Sequence, residues 1–158
     1  MGGFSSLIKD FLMIGIVVSG HINYASGMES AVRAIAGEQE QMAFIDFVET
    51  MSTEQLEESL RQAAKEVDSG KGVLFLTDIP GGSPCNRALS IMMDTPNVEL
   101  IAGANLPMIA NAAFERDGAE LQELLETLLE IGTSCIQGMR KELESVMELE
   151  PTECEDGL

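Results

Sequence analysis

Four short apolar runs dominate the pattern of this chain: residues 13–18 (MIGIVV), 42–48 (MAFIDFV), 72–77 (GVLFLT) and 98–102 (VELIA). Each is rich in β-branched or aromatic residues, and each is separated from the next by a segment of helical period. Runs that stay apolar at successive positions suit strands buried on both faces. Parallel strands need a crossover of a dozen or more residues, which a helix in each gap supplies. The alternation predicts right-handed βαβ units and a three-layer α/β/α domain with a mainly parallel sheet of roughly four to five strands.

The gaps carry helix signals of their own. Ser26 with Glu29 has capping-box spacing, Met28, Ala31, Val32 and Ile35 follow at helical intervals, and Gly37 supplies a stop. Ser52 with Gln55 opens a second helix, whose Leu56, Leu60, Ala63 and Val67 share a face before Gly70. A turn-rich segment at 78–84 leads into a helical stretch over about 85–93. Pro107 begins a short helix, and Leu121, Leu124, Leu125, Leu128, Leu129 and Ile136 mark the apolar stripe of a longer one. The organisation reads as an N-terminal extension (1–12), one domain (13–138) and a solvated acidic C-terminal tail (139–158), with turn-like composition in its last ten residues.

Composition narrows the function. A formal charge of -18 repels nucleic acid and anionic membrane surfaces. It either favours a basic protein partner or simply keeps the surface soluble. The longest apolar run, residues 12–18, is interrupted by Gly15 and falls far short of the roughly 20 residues of a membrane span. The first eleven residues do not read as a signal peptide. Three cysteines without a CxxC pair, beside one histidine, exclude a disulfide framework and a Cys/His zinc site, so a reducing cytosol fits best. The ten methionines read as core filler.

In open parallel sheets, ligands gather outside the carboxyl ends of the strands. His21 and Asp78 follow two such ends. An aspartate there can accept from the imidazole Nδ1–H and leave Nε2 as a nucleophile. Gly81-Gly82-Ser83-Pro84 can supply backbone donors for an anion: the glycines allow close approach, Ser83 suits an N-cap and Pro84 the first helical position. Bland readings stand beside these: His21 as a hydrogen-bonded loop residue, Asp78 as a turn residue, and Gly-Gly-Ser-Pro as an ordinary strand-to-helix turn. Cys85 reads as a small buried hydrophobe, and Arg87 either as a phosphate ligand or as a solvent-facing cation. A Ser-His-Asp hydrolase is disfavoured, because Ser83 precedes a proline and lacks the Gly-x-Ser-x-Gly elbow.

Six segments carry a resemblance: Ile16-Val17-Val18-Ser19-Gly20-His21, Gly37-Glu38-Gln39, Ile45-Asp46-Phe47-Val48, residues 71–78 (KGVLFLTD), residues 81–86 (GGSPCN) and residues 101–108 (IAGANLPM). In order and spacing they resemble the IIA (EIIA) domain of the mannose family of sugar phosphotransferase systems, over residues 13–138. The resemblance implies that His21 is phosphorylated on Nε2, that Asp78 orients it, and that Gly81, Gly82 and Ser83 hold the phosphate. It further implies a cytoplasmic homodimer that accepts phosphate from phospho-HPr and passes it to an EIIB domain or subunit working with membrane EIIC and EIID components. Neither metal nor organic cofactor is implied. With no IIB domain following, a stand-alone IIA subunit is expected.

Two loops depart from the family pattern. Ile79-Pro80 stands where the best-known members carry Thr-Trp, and Ile22 replaces a small residue after the histidine. Both bear on the choice of IIB. The phosphocarrier of the dihydroxyacetone kinase system resembles the same fold, but Gly-Gly-Ser-Pro-Cys-Asn is closer to the sugar-transport branch. The remaining alternative is a non-catalytic binding module in which His21 is inert.

Overall fold

The computed structural model describes residues 12–155, with side chains to Leu149. Apart from Leu12, the N-terminal extension lies outside the described residues. Ten elements follow in order: β1 (Gly15–His21), α1 (Tyr24–Ala36), β2 (Met42–Phe47), α2 (Thr53–Val67), β3 (Val73–Thr77), α3 (Ser83–Asp94), β4 (Val98–Ala102), α4 (Leu106–Glu115), α5 (Leu121–Ser134) and α6 (Met139–Glu155). The four strands form one parallel sheet in the order β2-β1-β3-β4.

Both faces of the sheet are covered, which is why its central strands read as unbroken apolar runs. Ile16, Val18, Leu74 and Leu76 meet α1, α4 and α5 through Val32, Met108, Ile109, Leu124 and Leu128. The alternate residues Val17, Val73 and Phe75 meet α2 and α3 through Leu56, Leu60, Ala63, Ala88 and Ile91. Fully burying a side chain of this size contributes about 1.5–3 kcal/mol, so these two layers dominate the stability.

Local signals succeed where nothing overrides them. Ser52 and Gln55 form both bonds of the capping box. Ser26 does not: α1 begins earlier, with Asn23 at the N-cap, while the Ser26 amide donates to Asp46 Oδ1 and its hydroxyl to the Asn23 carbonyl. The chain leaves β1 through a sharp turn at Ile22 (φ 53°), so the turn sets the helix start ahead of the side-chain cap. β1 also continues through Ser19 and Gly20 to His21, held by pairing with β2 up to Phe47.

The apolar stripe of α5 is narrower than its sequence suggests. Leu121, Leu124 and Leu128 are buried, whereas Leu129 is exposed and Ile136 lies beyond the helix end in solvent. Residues 139–155, read as a tail ending in turns, are helical. Met, Arg, Lys, Leu and Glu are strong helix formers, and their summed propensity favours a helix although every residue from 139 to 149 is exposed.

Arg116 closes the edge of the sheet away from the carboxyl ends. Only 2% exposed, it donates to the carbonyls of Glu40 (2.6 Å), Gln41 (2.9 Å) and Ile14 (3.3 Å) and to Gln39 Oε1 (3.3 Å). Burial pushes the guanidinium pKa down, against an opposing pull from Asp117. Removing a buried donor strands its acceptors. Arg116→Met is therefore expected to destabilise the fold by about 3 kcal/mol, read as a lower urea midpoint at unchanged m-value.

Candidate active site

The order β2-β1-β3-β4 places a switch of winding between β1 and β3: the chain leaves β1 toward one edge of the sheet and β3 toward the other. Crevices of this kind collect ligands. His21 is the last residue of β1, and Asp78 directly follows β3. Ser19 and Thr77 are register partners, so both chemistry-bearing residues emerge side by side at the same edge.

Their geometry is tight. Asp78 Oδ2 accepts from both the His21 backbone amide and the His21 ring Nδ1, each at 2.8 Å, while Oδ1 accepts from the Ile79 amide at 2.8 Å. Burial pushes the Asp78 carboxyl up. The hydrogen bonds from the His21 amide and ring and from the Ile79 amide outweigh it, and the net shift is downward. An ionised carboxylate only accepts, so in the neutral ring the proton belongs on Nδ1 and the lone pair on Nε2. The Asp78 side chain is 10% exposed and the imidazole 40%, so the carboxylate is covered and the ring is open.

The glycine turn presses on the ring. A Cβ placed at Gly82 would lie 2.9 Å from His21 Cε1, the atom between the two ring nitrogens. Gly81 has φ +80°, a region that favours glycine. Gly82, not Ser83, is the N-cap of α3; Ser83 and Pro84 occupy the first two helical positions. The cause is the Gly82 amide, which is drawn back to the Ile79 carbonyl (3.0 Å) so that the helix starts one residue sooner. The Ser83 hydroxyl is therefore not spent on capping, and the amides of the first turn have no upstream carbonyl to meet. Nε2, one bond from Cε1, lies beside this helix start, which is suited to an anion.

Two aromatic residues complete the surroundings, and neither was singled out from sequence. Phe47, the register partner of His21, meets the imidazole edge-on at 5.8 Å and 68°. The Tyr24 hydroxyl donates to the Ala104 carbonyl, and burial, followed by the nearby Asp78 charge, pushes its pKa up to about 12. Only the strand register and the closeness of Tyr24 to the Gly20 backbone would have revealed them. Arg87 takes neither role open to it: it donates to Thr53 Oγ1 (2.8 Å) and lies near Glu54 (3.7 Å), tying α3 to α2. Cys85 is buried. Among the described residues, no cluster of three or more His, Cys, Asp or Glu is placed to hold a metal.

A family model described as the PTS system fructose IIA component, mannose-type EIIA, matches residues 15–129. The chain belongs to this EIIA family. The mannose-specific EIIAB component of Escherichia coli strain K12 is 35% identical over 130 residues, which is 82% of this chain but 40% of that protein. The fructose-specific EIIA component of Bacillus subtilis is 30% identical over 134 residues, 85% of this chain and 92% of that one. The crystal structure of a phosphotransferase EIIA component from Streptococcus agalactiae superposes with a TM-score of 0.76 at 26% identity, covering 82% of this chain and 99% of the other. The mannose/sorbose-specific IIA subunit of Enterococcus faecalis gives 0.72 at 27% identity, covering 80% and 95%. This EIIA is a component of the sugar phosphotransferase system. No helix among its described residues is long and apolar enough to cross a membrane.

Two consequences of the site geometry are measurable. A carboxyl whose folded pKa lies below its unfolded value contributes stability above the unfolded pKa, and that contribution is lost as pH falls through the folded value. The stability difference between wild type and Asp78→Asn is expected to be full at pH 7 and to shrink below about pH 4, in urea midpoints taken against pH. Gly82→Ala forces the imidazole to move, and the expected outcome is a changed His21 ring signal in NMR with an intact fold.

Proposed function

We propose that this EIIA is a cytoplasmic phosphoryl carrier that accepts phosphate on His21 Nε2 from phospho-HPr and passes it to an EIIB partner for sugar uptake. One observation carries the reading: a single carboxylate oxygen, Asp78 Oδ2, holds both the amide and the ring Nδ1 of His21 and leaves Nε2 open beside the start of α3. The His21 side chain is also 40% exposed, within reach of a macromolecular partner.

In the transfer, the Nε2 lone pair attacks phosphorus in line. The bond from phosphorus to the donor's histidine breaks, and its electron pair returns to the donor's ring. With its proton on Nδ1, the phosphorylated imidazole carries positive charge, which the Asp78 carboxylate balances. In this reading the Ser83 and Cys85 amides of α3 and the Ser83 hydroxyl donate to the phosphoryl oxygens, while Gly81 and Gly82 keep side chains out of their way. Transfer to EIIB is the same step in reverse roles.

Intact-mass analysis after incubation with phosphoenolpyruvate, enzyme I and HPr tests this directly. The expected outcome is a gain of one acid-labile phosphoryl group, absent in His21→Ala. Asp78→Asn is expected to slow uptake by about a hundredfold while the fold persists. No gain with competent partners, or a gain retained by His21→Ala, would overturn the assignment.

A further inference from the structure

Each half of the site is followed by an exposed isoleucine. Ile22 succeeds His21 and is 45% exposed; Ile79 succeeds Asp78 and is 54% exposed. Their backbones are fixed: the Ile22 amide donates to the Phe47 carbonyl at 2.8 Å, and the Ile79 amide to Asp78 Oδ1 at 2.8 Å. Both therefore present an apolar side chain to water from a backbone that helps build the site. A single exposed isoleucine is ordinary. Ile22 is not, because its φ is +53°.

The left-handed region is disfavoured for L residues and most of all for a β-branched side chain, whereas glycine enters it freely and asparagine readily. Ile22 belongs to neither core cluster. Position 22 thus keeps a residue that its backbone disfavours and whose side chain does not serve the core. A gain realised outside the isolated chain accounts for both facts.

We propose that Ile22, together with Ile79, forms an apolar frame around the reacting nitrogen that seats on an apolar surface around the exchanging histidine of phospho-HPr. This rests on the carrier reading above. In-line exchange requires a second protein to bring its own nitrogen to the phosphorus, so its surface must lie over the flanks of His21, where residues 22 and 79 stand. An apolar seal there expels water from the phosphoryl group during exchange and strengthens the Asp78 and amide interactions. The charge of -18 acts at longer range, on encounter rather than on the seal.

The test uses the full chain, with phospho-HPr as the varied substrate and thermal unfolding as a second readout. Ile22→Gly is expected to raise Tm by about 2–4 °C, because the strain is relieved. The same change is expected to raise KM for phospho-HPr about tenfold with kcat within about twofold. Ile22→Asn, which suits the backbone but not the seal, should show the same KM shift, and Ile22→Val should keep the wild-type KM. An unchanged KM in the glycine and asparagine variants, or a fall in Tm for Ile22→Gly, would overturn the frame while leaving the carrier reading intact. A wild-type protein that takes up no phosphate would overturn both.

Discussion

The carboxylate of Asp78 joins two strands that are distant in the chain and adjacent in the sheet. Its Oδ2 accepts from the last amide of β1 and from the ring that β1 carries, and its Oδ1 accepts from the amide that starts the turn after β3. Three charge-assisted bonds to one group fix the imidazole, the end of β1 and the start of the glycine turn together. Loss of this group would release the ring without opening the core, because the apolar layers are assembled lower in the sheet.

The opposite edge is secured by other means. There Arg116, with no acidic partner among its hydrogen bonds, uses its guanidinium to gather the carbonyls of Ile14, Glu40 and Gln41. One edge thus holds a buried cation whose two terminal nitrogens bond three backbone carbonyls and Gln39 Oε1, and the other a covered anion committed to a ring that is itself open. The Arg116 edge is tied down by buried hydrogen bonds, whereas the imidazole is left partly exposed. The division of labour is the one expected of an α/β sheet, in which the carboxyl edge carries chemistry and the far edge carries stability.

The helices meet the site from both faces. α3 brings its N-terminus to the ring through Gly82, and α1 brings Tyr24, whose hydroxyl anchors the loop after β4 at Ala104. Gly82 allows the helix to come so close to the imidazole that even one methyl group would displace it. The site is therefore made of close backbone approach and strand register, with few long side chains.

Much of this was legible in the residues. The four apolar runs, their parallel pairing, the Ser52 capping box, the places of His21 and Asp78 at strand ends and the anion-suited turn at 81–84 all follow from period, propensity and turn chemistry, which act over a few residues. The misread features involve longer range or competing signals. The start of α1 was set by the turn at Ile22 and the cap of α3 by the Gly82–Ile79 bond, each overriding a plausible side-chain cap. The helix at 139–155 went unread because acidity and turn residues obscured a strong run of helix formers. Phe47, Tyr24 and Arg116 were invisible, since what places them is strand register and packing between elements far apart in sequence. The alternating architecture and the residue types available at one edge of the sheet depend on local periodicity, and so are written in the order of the residues. That Asp78 meets Nδ1, that Gly82 lies against the ring and that Arg116 closes the far edge are products of the assembled fold, because each contact spans parallel strands or packed layers whose relative placement no local pattern encodes.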